Sequence, residues 1–549
     1  MIVLPSRRDY AGVARSWRRD ALAGVTVGVV ALPLALAFGV SSGLGAAAGI
    51  VTAIVAGVVA GLFGGSDLQV SGPTGAMTVV LLPIVARHGP NGVLLVALLA
   101  GLVLIAASIA GLGRYIAFIP WPVVEGFTVG IAVIIALQQV PIALGVSTPD
   151  GQNVLIVAWR SLEVWGAAGW SPPIVAGVVA ALMLAIPRLH RSLPASLLAV
   201  AGVTVAAELL DLSVRRIGSI PSSLPAPHLP SVALSDMPGL AGAVFAVAML
   251  AGIESLLSAK VADGMVDGRD HDPDRELFGQ GLANVAASLF GGMPATGAIA
   301  RTALNARAGA ETRLAAVVHG MALFLVVALL AAAVGVVPLA ALAGVLVVTA
   351  VRMIDLDTIR RILGSTRSDA LVMVATALTT VVFDLVIAVE VGIVLASFLV
   401  LRAVARSTVF EPEPAERPVD VDAQAEHDLL HEHIVTYRLD GALFFGAVER
   451  FLVELTSVSD VQVVILRLGQ LQVLDATGAQ ALGDIVEHLQ HRGIAVLLCS
   501  VRTPHLALIE RIGVLDALAH ENHLLPSIED ALVHARQHVA HGARHPVNA

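Results

Sequence analysis

The sequence predicts a polytopic α-helical membrane protein built from two inverted halves, with a small soluble α/β domain at its C-terminal end. Three observations carry that reading. Of 549 residues, 57% are hydrophobic and only 14% charged, against roughly 25% charged in soluble proteins, and mean hydropathy is +0.85. Apolar runs long enough to span a bilayer recur from residue 20 to residue 404. Two of those runs are interrupted alike, by GGSDLQVSGPTGAM at 64–77 and GGMPATGAIAR at 291–301.

Residues 1–19 form an N-terminal segment with five arginines. It lacks the short apolar core and small-residue cleavage site of a secretory signal, so no processing is expected. Residues 20–404 hold about fourteen apolar runs. They centre near residues 32, 55, 78, 101, 128, 179 and 202, then 249, 283, 302, 323, 344, 377 and 395. The halves are therefore about 20–212 and 238–404. With a cytosolic N-terminus, seventeen Lys and Arg residues fall at inside positions and only Arg87, Arg160, Arg215 and Arg216 outside, which places both termini in the cytosol.

Beyond residue 405 the texture changes. EPEPAERPVDVDAQAEHD (411–428) is acidic and Pro-rich, so 405–429 reads as a linker. From 430 to 540, β-rich runs (HIVTYRLDGALFFG, VQVVILRLGQLQVL, IAVLLCSV) alternate with helical patterns at GAQALGDIVEHLQHRG and around 504–511. Residues 541–549 are a tail. Cys499 is the single cysteine, which excludes an intramolecular disulfide framework and a CxxC metal site. The net charge of −9 says little, because acidic residues gather in loops and toward the C-terminus, and no nucleic-acid partner is expected.

The two interruptions lie about 225 residues apart, and each opens the third segment of a seven-segment half. An odd number of spans per half turns the second half upside down, the arrangement of many secondary transporters. Non-helical backbone at that depth persists only where protein buries it or it lines a polar cavity. Gly72-Pro73-Thr74-Gly75-Ala76 and Pro294-Ala295-Thr296-Gly297-Ala298 thus each start a half-helix near the bilayer centre. Opposed N-termini offer unpaired N–H groups and positive dipole ends to an anion. The plainer alternative is a pair of Gly/Pro kinks in packed helices.

These fragments also carry a resemblance. DALAGVTVGVVALPLALAFG (20–39), SGPTGAM (71–77), VVEGFTVGIAV (123–133), AGIESLLSAKVADGM (251–265) and GGMPATGAIARTALNARAG (291–309) resemble the SulP anion transporters, the sulfate-permease family. LDATGAQAL (474–482) resembles the STAS domain that ends most members. The resemblance implies a seven-plus-seven inverted-repeat fold divided into core and gate, an elevator-like movement of the core, and a homodimer. It implies substrate binding at Phe38, at Thr74, Gly75 and Ala76, and at Thr296, Gly297 and Ala298, with Arg301 close to the anion. Bacterial members often carry Glu or Gln directly after the proline of the first segment. Leu34 stands there in this chain, so no proton or ligand handling is expected at that position.

Glu254, deep in the eighth segment, is the candidate coupling residue, since a carboxylate inside a membrane is costly and functional by default. Ser258 follows one turn later on the same face. In sodium-coupled relatives an Asp and a Thr at these positions hold the cation, and Glu and Ser offer equally hard oxygens. A proton is the preferred coupling ion, because a protonatable carboxylate beside the anion site suffices. The alternative for Glu254 is a structural carboxylate bonded to broken-helix backbone. For Arg301, expected about two turns inside the tenth segment, the alternative is an arginine snorkelling to the interface. Glu125 reads as a capping residue. Glu208, Asp384 and Glu390 sit at segment ends and receive no chemistry.

Other signals are weaker. DGMVDGRDHDPDRE (263–276) lacks calcium-loop spacing and contains Pro273. His534, His538, His541 and His545 recur near helical spacing but read as a solvated tail rather than a zinc site. Ala476 occupies the position where related regulators are phosphorylated on serine, and Thr477 beside it reads as part of a structural loop. No nucleophile–base pair, metal cluster or phosphate loop argues for an enzyme, and no cofactor is expected. The expectation is therefore a secondary-active carrier of a small inorganic anion, sulfate or bicarbonate, in the bacterial inner (plasma) membrane. Its partners would be that anion, a coupling proton (or sodium) and membrane lipid. Rivals are a proton-coupled C4-dicarboxylate carrier, a sodium-coupled bicarbonate symporter, a nucleobase carrier and a non-transporting sensor that signals through the soluble domain.

Overall fold

The computed structural model describes residues 4–10, 12–114, 120–149, 153–167, 169–190, 193–231, 237–266, 270–383, 385–407, 409–413, 433–443 and 461–542. The chain divides into two compact units, residues 1–394 and 395–549. Asp384, most of the expected linker and residues 444–460 lie outside the described residues, as does the side chain of Glu390.

In the first unit, the first half runs α1 (Val13–Ser41), α2 (Ala46–Phe63), α3 (Gly75–Ile109), α4 (Trp121–Leu144), α5 (Val154–Val164), α6 (Ser171–Leu189) and α7 (Ala195–Leu209). The second half runs α8 (Met237–Asp263), α9 (Pro273–Leu289), α10 (Ile299–Arg307), α11 (Leu314–Gly335), α12 (Leu339–Met353), α13 (Leu356–Leu363) and α14 (Arg367–Val382). It ends with α15 (Leu385–Ser407), whose residues from Leu395 onward fall in the second unit. Helix α3 is really two. Gly89 adopts φ +66° and Pro90 follows, which breaks the helix and accounts for the separate runs read near residues 78 and 101. With α3 counted twice, and the short amphipathic α5 and α13 set aside, the fourteen expected segments are all present among the described residues.

Packing partners come in symmetry-related pairs. The packing of α1 on α11 is matched by that of α8 on α3, and the packing of α6 on α12 by that of α14 on α4. One group of mutually packed helices is α1, α2, α3, α8, α9, α10 and α11; the other is α4, α6, α7, α12 and α14. These are the core and gate of the fold. With lipid on the outside there is little hydrophobic gain in helix contact, so close approach of small residues does the work. Gly101 of α3 and Gly281 of α9 show it: a Cβ on either would lie 2.6 or 2.7 Å from the other's carbonyl oxygen.

The second unit is an α/β domain. Strands β3 (Val409–Glu413), β4 (Ile434–Leu443), β5 (Val463–Arg467), β7 (Ala495–Cys499) and β8 (Leu524–Leu525) form one sheet in that order, with β6 (Leu471–Leu474) also paired to β4. Only the β3–β4 pair is antiparallel. Alternate residues of β5 serve opposite faces, as the two-residue strand period requires. Val464 and Leu466 pack under the helix Ala476–His491, and Val463 and Ile465 under the helix Ile528–Gly542. Strand β3 falls within the stretch read as linker, where its acidic and Pro-rich composition hides the alternation. The helix Ile528–Gly542 corrects the solvated-tail reading of its histidines, because Ala531, Ala535 and Val539 bury its inner face.

Candidate anion-binding site

Two residues on each side hold the broken segments together. Strand β1 (Ser71–Gly72) pairs antiparallel with β2 (Thr296–Gly297), in register Ser71↔Gly297 and Gly72↔Thr296. The first strand leads into α3 and the second into α10, so both helices start at one small ladder. Thr74 and Ala298 are the N-cap residues, both in extended conformation, and neither helix start receives a side-chain cap. Gly75 and Ala76 therefore open α3 with N–H groups that have no intrahelical acceptor. On the other side the Gly297 N–H already donates to Ser255 Oγ at 2.9 Å and the Ala298 N–H to the Val70 carbonyl at 3.0 Å. Among the described residues, first-turn donors there without an acceptor begin at Ile299.

The remaining sequence-predicted residues converge on this ladder. A Cβ on Gly75 would lie 2.3 Å from Ile135 Cδ1 and 3.4 Å from Phe38 Cε1, so the Phe38 ring of α1 closes one side of the α3 N-terminus. Thr74 Oγ1 donates to Glu254 Oε2 at 3.0 Å. Arg301 does not lie two turns inside α10; it is the third residue, in the first turn. It is 4% exposed and its Nη2 donates to the Pro73 carbonyl of the other half at 2.5 Å. Burial and that bond across the repeats exclude the snorkelling alternative. Ser258 donates to Thr302 Oγ1 at 2.9 Å, one turn along α10, and Thr302 Oγ1 in turn accepts from the Val70 N–H. Glu125 is the fifth residue of α4, a helix whose start has no side-chain cap, so the capping role is not met. Glu208 pairs with Arg216 at 2.9 Å at the end of α7.

Sequence reading missed the residues that brace the breaks. Helix α9 presents Glu276, Gln280 and Asn284, all buried, at four-residue spacing on one face. Glu276 accepts from the Gly65 and Ser66 N–H groups and from Gln69 Nε2 at 2.7–3.0 Å. Gln280 accepts from the Ser71 hydroxyl and donates to the Ala295 carbonyl; Asn284 both donates to and accepts from Ala295. Each bond satisfies backbone or side chain that the interrupted helices leave unpaired, as a membrane interior demands. The signal was visible: polar residues four apart in an otherwise apolar run. Ser255 was also missed, and it sits 3.1 Å from Thr296 Oγ1.

The model of the "Sulfate permease family" matches residues 17–376, which include the whole of this site, and that of the "STAS domain" matches residues 429–531. The chain belongs to the sulfate permease family. Among relatives in that family, the putative sulfate transporter YvdB of Bacillus subtilis is 32% identical, with 92% of this chain and 96% of the relative covered. The bicarbonate transporter BicA of Synechocystis is 30% identical, with 92% of each chain covered. The solved transmembrane domain of a cyanobacterial BicA is 32% identical, with a TM-score of 0.63 over 70% of this chain and 98% of that one. Murine solute carrier 26 member A9, an anion transporter in its inward-facing state, shares the fold at 17% identity, with a TM-score of 0.83 over 95% of this chain and 91% of that one.

Proposed function

We propose that this sulfate permease family member is a secondary-active carrier of a small inorganic anion, of the sulfate or bicarbonate class, driven by proton symport. The observation that carries the reading is the β1–β2 ladder, which brings two uncapped helix N-termini from opposite halves to one point between Glu254 and Arg301. Recognition rests on backbone N–H groups and helix dipoles, with Phe38, Thr74, Gly75, Ala76, Thr296, Gly297 and Ala298 around the anion. Coupling follows from charge. Ionised Glu254 opposes the field of Arg301 and of both dipoles, whereas protonated Glu254 leaves that field to the anion, so proton and anion bind together. Movement of the core helices against the gate helices then carries both across, an elevator step, in a protein whose termini and STAS domain face the cytosol of a bacterial cell and which works as a homodimer.

Proton is favoured over sodium because the Ser258 hydroxyl donates to Thr302 instead of joining Glu254 around one cation. The test is uptake of labelled sulfate, bicarbonate and fumarate into proteoliposomes, with and without an inward proton gradient, for wild type and Glu254→Gln. Proton-stimulated uptake of one inorganic anion, lost in the variant, is the expected result. Preference for fumarate moves the assignment to dicarboxylates, and sodium stimulation moves it to sodium symport. Equal flux in both proteins refutes the coupling role of Glu254, and no flux of any anion favours a sensor.

A further inference from the structure

Far from the anion site, in the second unit, three histidines meet. The helix Ile528–Gly542 presents His534 and His538 one turn apart on one face, and the short turn Glu521–His523 before β8 delivers His523 against them. Ring nitrogens of the three all lie within 4.8 Å of one another. The Nε2 atoms of His523 and His538 are 3.2 Å apart. Tetrahedral zinc with bonds of about 2.0–2.1 Å separates its ligand nitrogens by about 3.3 Å, so this pair already stands at chelating distance.

The polar inventory argues the same way. His523 is 1% exposed, and the Nε2 of His534 is buried without a hydrogen-bond partner among the described residues. Three imidazoles gathered without a carboxylate between them gain little from one another, since two neutral rings can share only one proton along a given contact. An ion that accepts electron pairs from several nitrogens at once resolves that arrangement. Imidazole sets of this kind suit borderline divalent first-row ions, zinc above all. The geometry points to a zinc-class divalent cation site formed by His523, His534 and His538, with a fourth position open to water or to His520, whose ring lies 5.7 Å from that of His523. Such an ion would fasten the last helix to the turn that precedes the sheet's edge strand. The His541 side chain and all of His545 lie outside the described residues.

The test uses the full-length protein in detergent, purified without a polyhistidine tag and stripped with chelator. Zinc titration by calorimetry and cobalt titration by visible absorption are run on wild type, His534→Gln and His538→Gln, after each variant is shown to melt cooperatively like the stripped wild type. Both substituted residues are partly exposed, so they spare the fold better than a change at His523. One equivalent of zinc, intense tetrahedral cobalt bands and an upward melting shift on metal addition, all lost in both variants, are expected. Absence of binding by wild type, binding that survives in either variant, or a pale octahedral cobalt spectrum would overturn the site.

Discussion

Thr74 and Glu254 are joined by a 3.0 Å hydrogen bond across 180 residues of sequence, from the N-cap of α3 to the middle of α8. On the proposed symport mechanism, the bond links the two parts that must act together: the start of a half-helix from the first half, and the carboxylate of the second. A Thr hydroxyl both donates and accepts, so it can serve the ionised carboxylate as donor and the protonated one as acceptor. Its rotation between those roles would be felt one residue away, at the first N–H groups of α3.

Thr74→Val should therefore raise the KM for anion uptake and blunt its proton stimulation, while Thr74→Ser retains both. A hydrogen bond to a charged group contributes about 1.5–3 kcal/mol, which is roughly ten- to hundredfold in affinity. Initial uptake rates in proteoliposomes across an external pH series measure both effects. A valine variant with wild-type KM and pH response would show that the bond only holds structure.

Arg301 supplies a different lever. Its guanidinium crosses from α10 to the Pro73 carbonyl, so it binds the two broken segments to each other as well as placing positive charge beside them. Arg301→Gln should lower apparent anion affinity at least about tenfold, and Arg301→Lys should recover only part of it, because a point charge on a flexible stem does not reproduce a planar fork. Competition uptake with graded anion concentrations separates the outcomes. Full recovery by lysine would reduce the role of Arg301 to charge alone.

How much of this was legible in the sequence differs by feature. The fourteen segments and both breaks were readable because a bilayer imposes a length and a polarity that leave plain marks. The pairing of Ser71 with Gly297 was not, since two-residue strands have no period to detect. Glu276, Gln280 and Asn284 stand at a visible spacing, but a polar stripe on one helix does not name the distant backbone groups it satisfies. Arg301 was named but placed too deep, since the start of α10 depends on where the ladder ends. His534 and His538 are legible as a pair one helical turn apart. Their partner, His523, lies on another element, and only the fold brings it there.

Gly297 has no room for a side chain. A Cβ there would lie 2.2 Å from Gln69 Nε2 and 3.0 Å from Ser255 Cα, and Gln69 is itself held by Glu276. Gly297→Ala must displace either that network or α8, at about 1–3 kcal/mol for an overpacked site. The expected outcome is a lower melting midpoint in detergent together with loss of uptake. Gly177→Ala is the matched control, because nothing lies within 4 Å of a Cβ at Gly177. Equal behaviour of the two variants would mean that the ladder yields easily.

The N-terminal segment gives a pH prediction. Asp9 Oδ1 pairs with Arg275 Nη1 at 2.9 Å, and both side chains are 9% exposed. Burial alone would raise the Asp9 carboxyl, but Arg275 and the Ser6 N–H and hydroxyl outweigh it and hold the group well below its ordinary value of 3.8. A carboxylate lowered in the folded state contributes stability that is complete above its unfolded value and drains away as pH falls toward the folded one. Wild type should thus lose melting temperature progressively as pH drops below about 4, the unfolded carboxylate range. Asp9→Asn should be less stable near neutrality by about 3 kcal/mol, because it strands a buried guanidinium whose Nε and Nη2 already lack partners among the described residues. The two melting curves should draw together as pH falls below about 4, because the unfolded carboxyl then takes up its proton while the folded one stays ionised. Melting of both proteins in detergent from pH 7 to pH 3 checks this, and a gap that stays constant across the series would refute the ion-pair assignment.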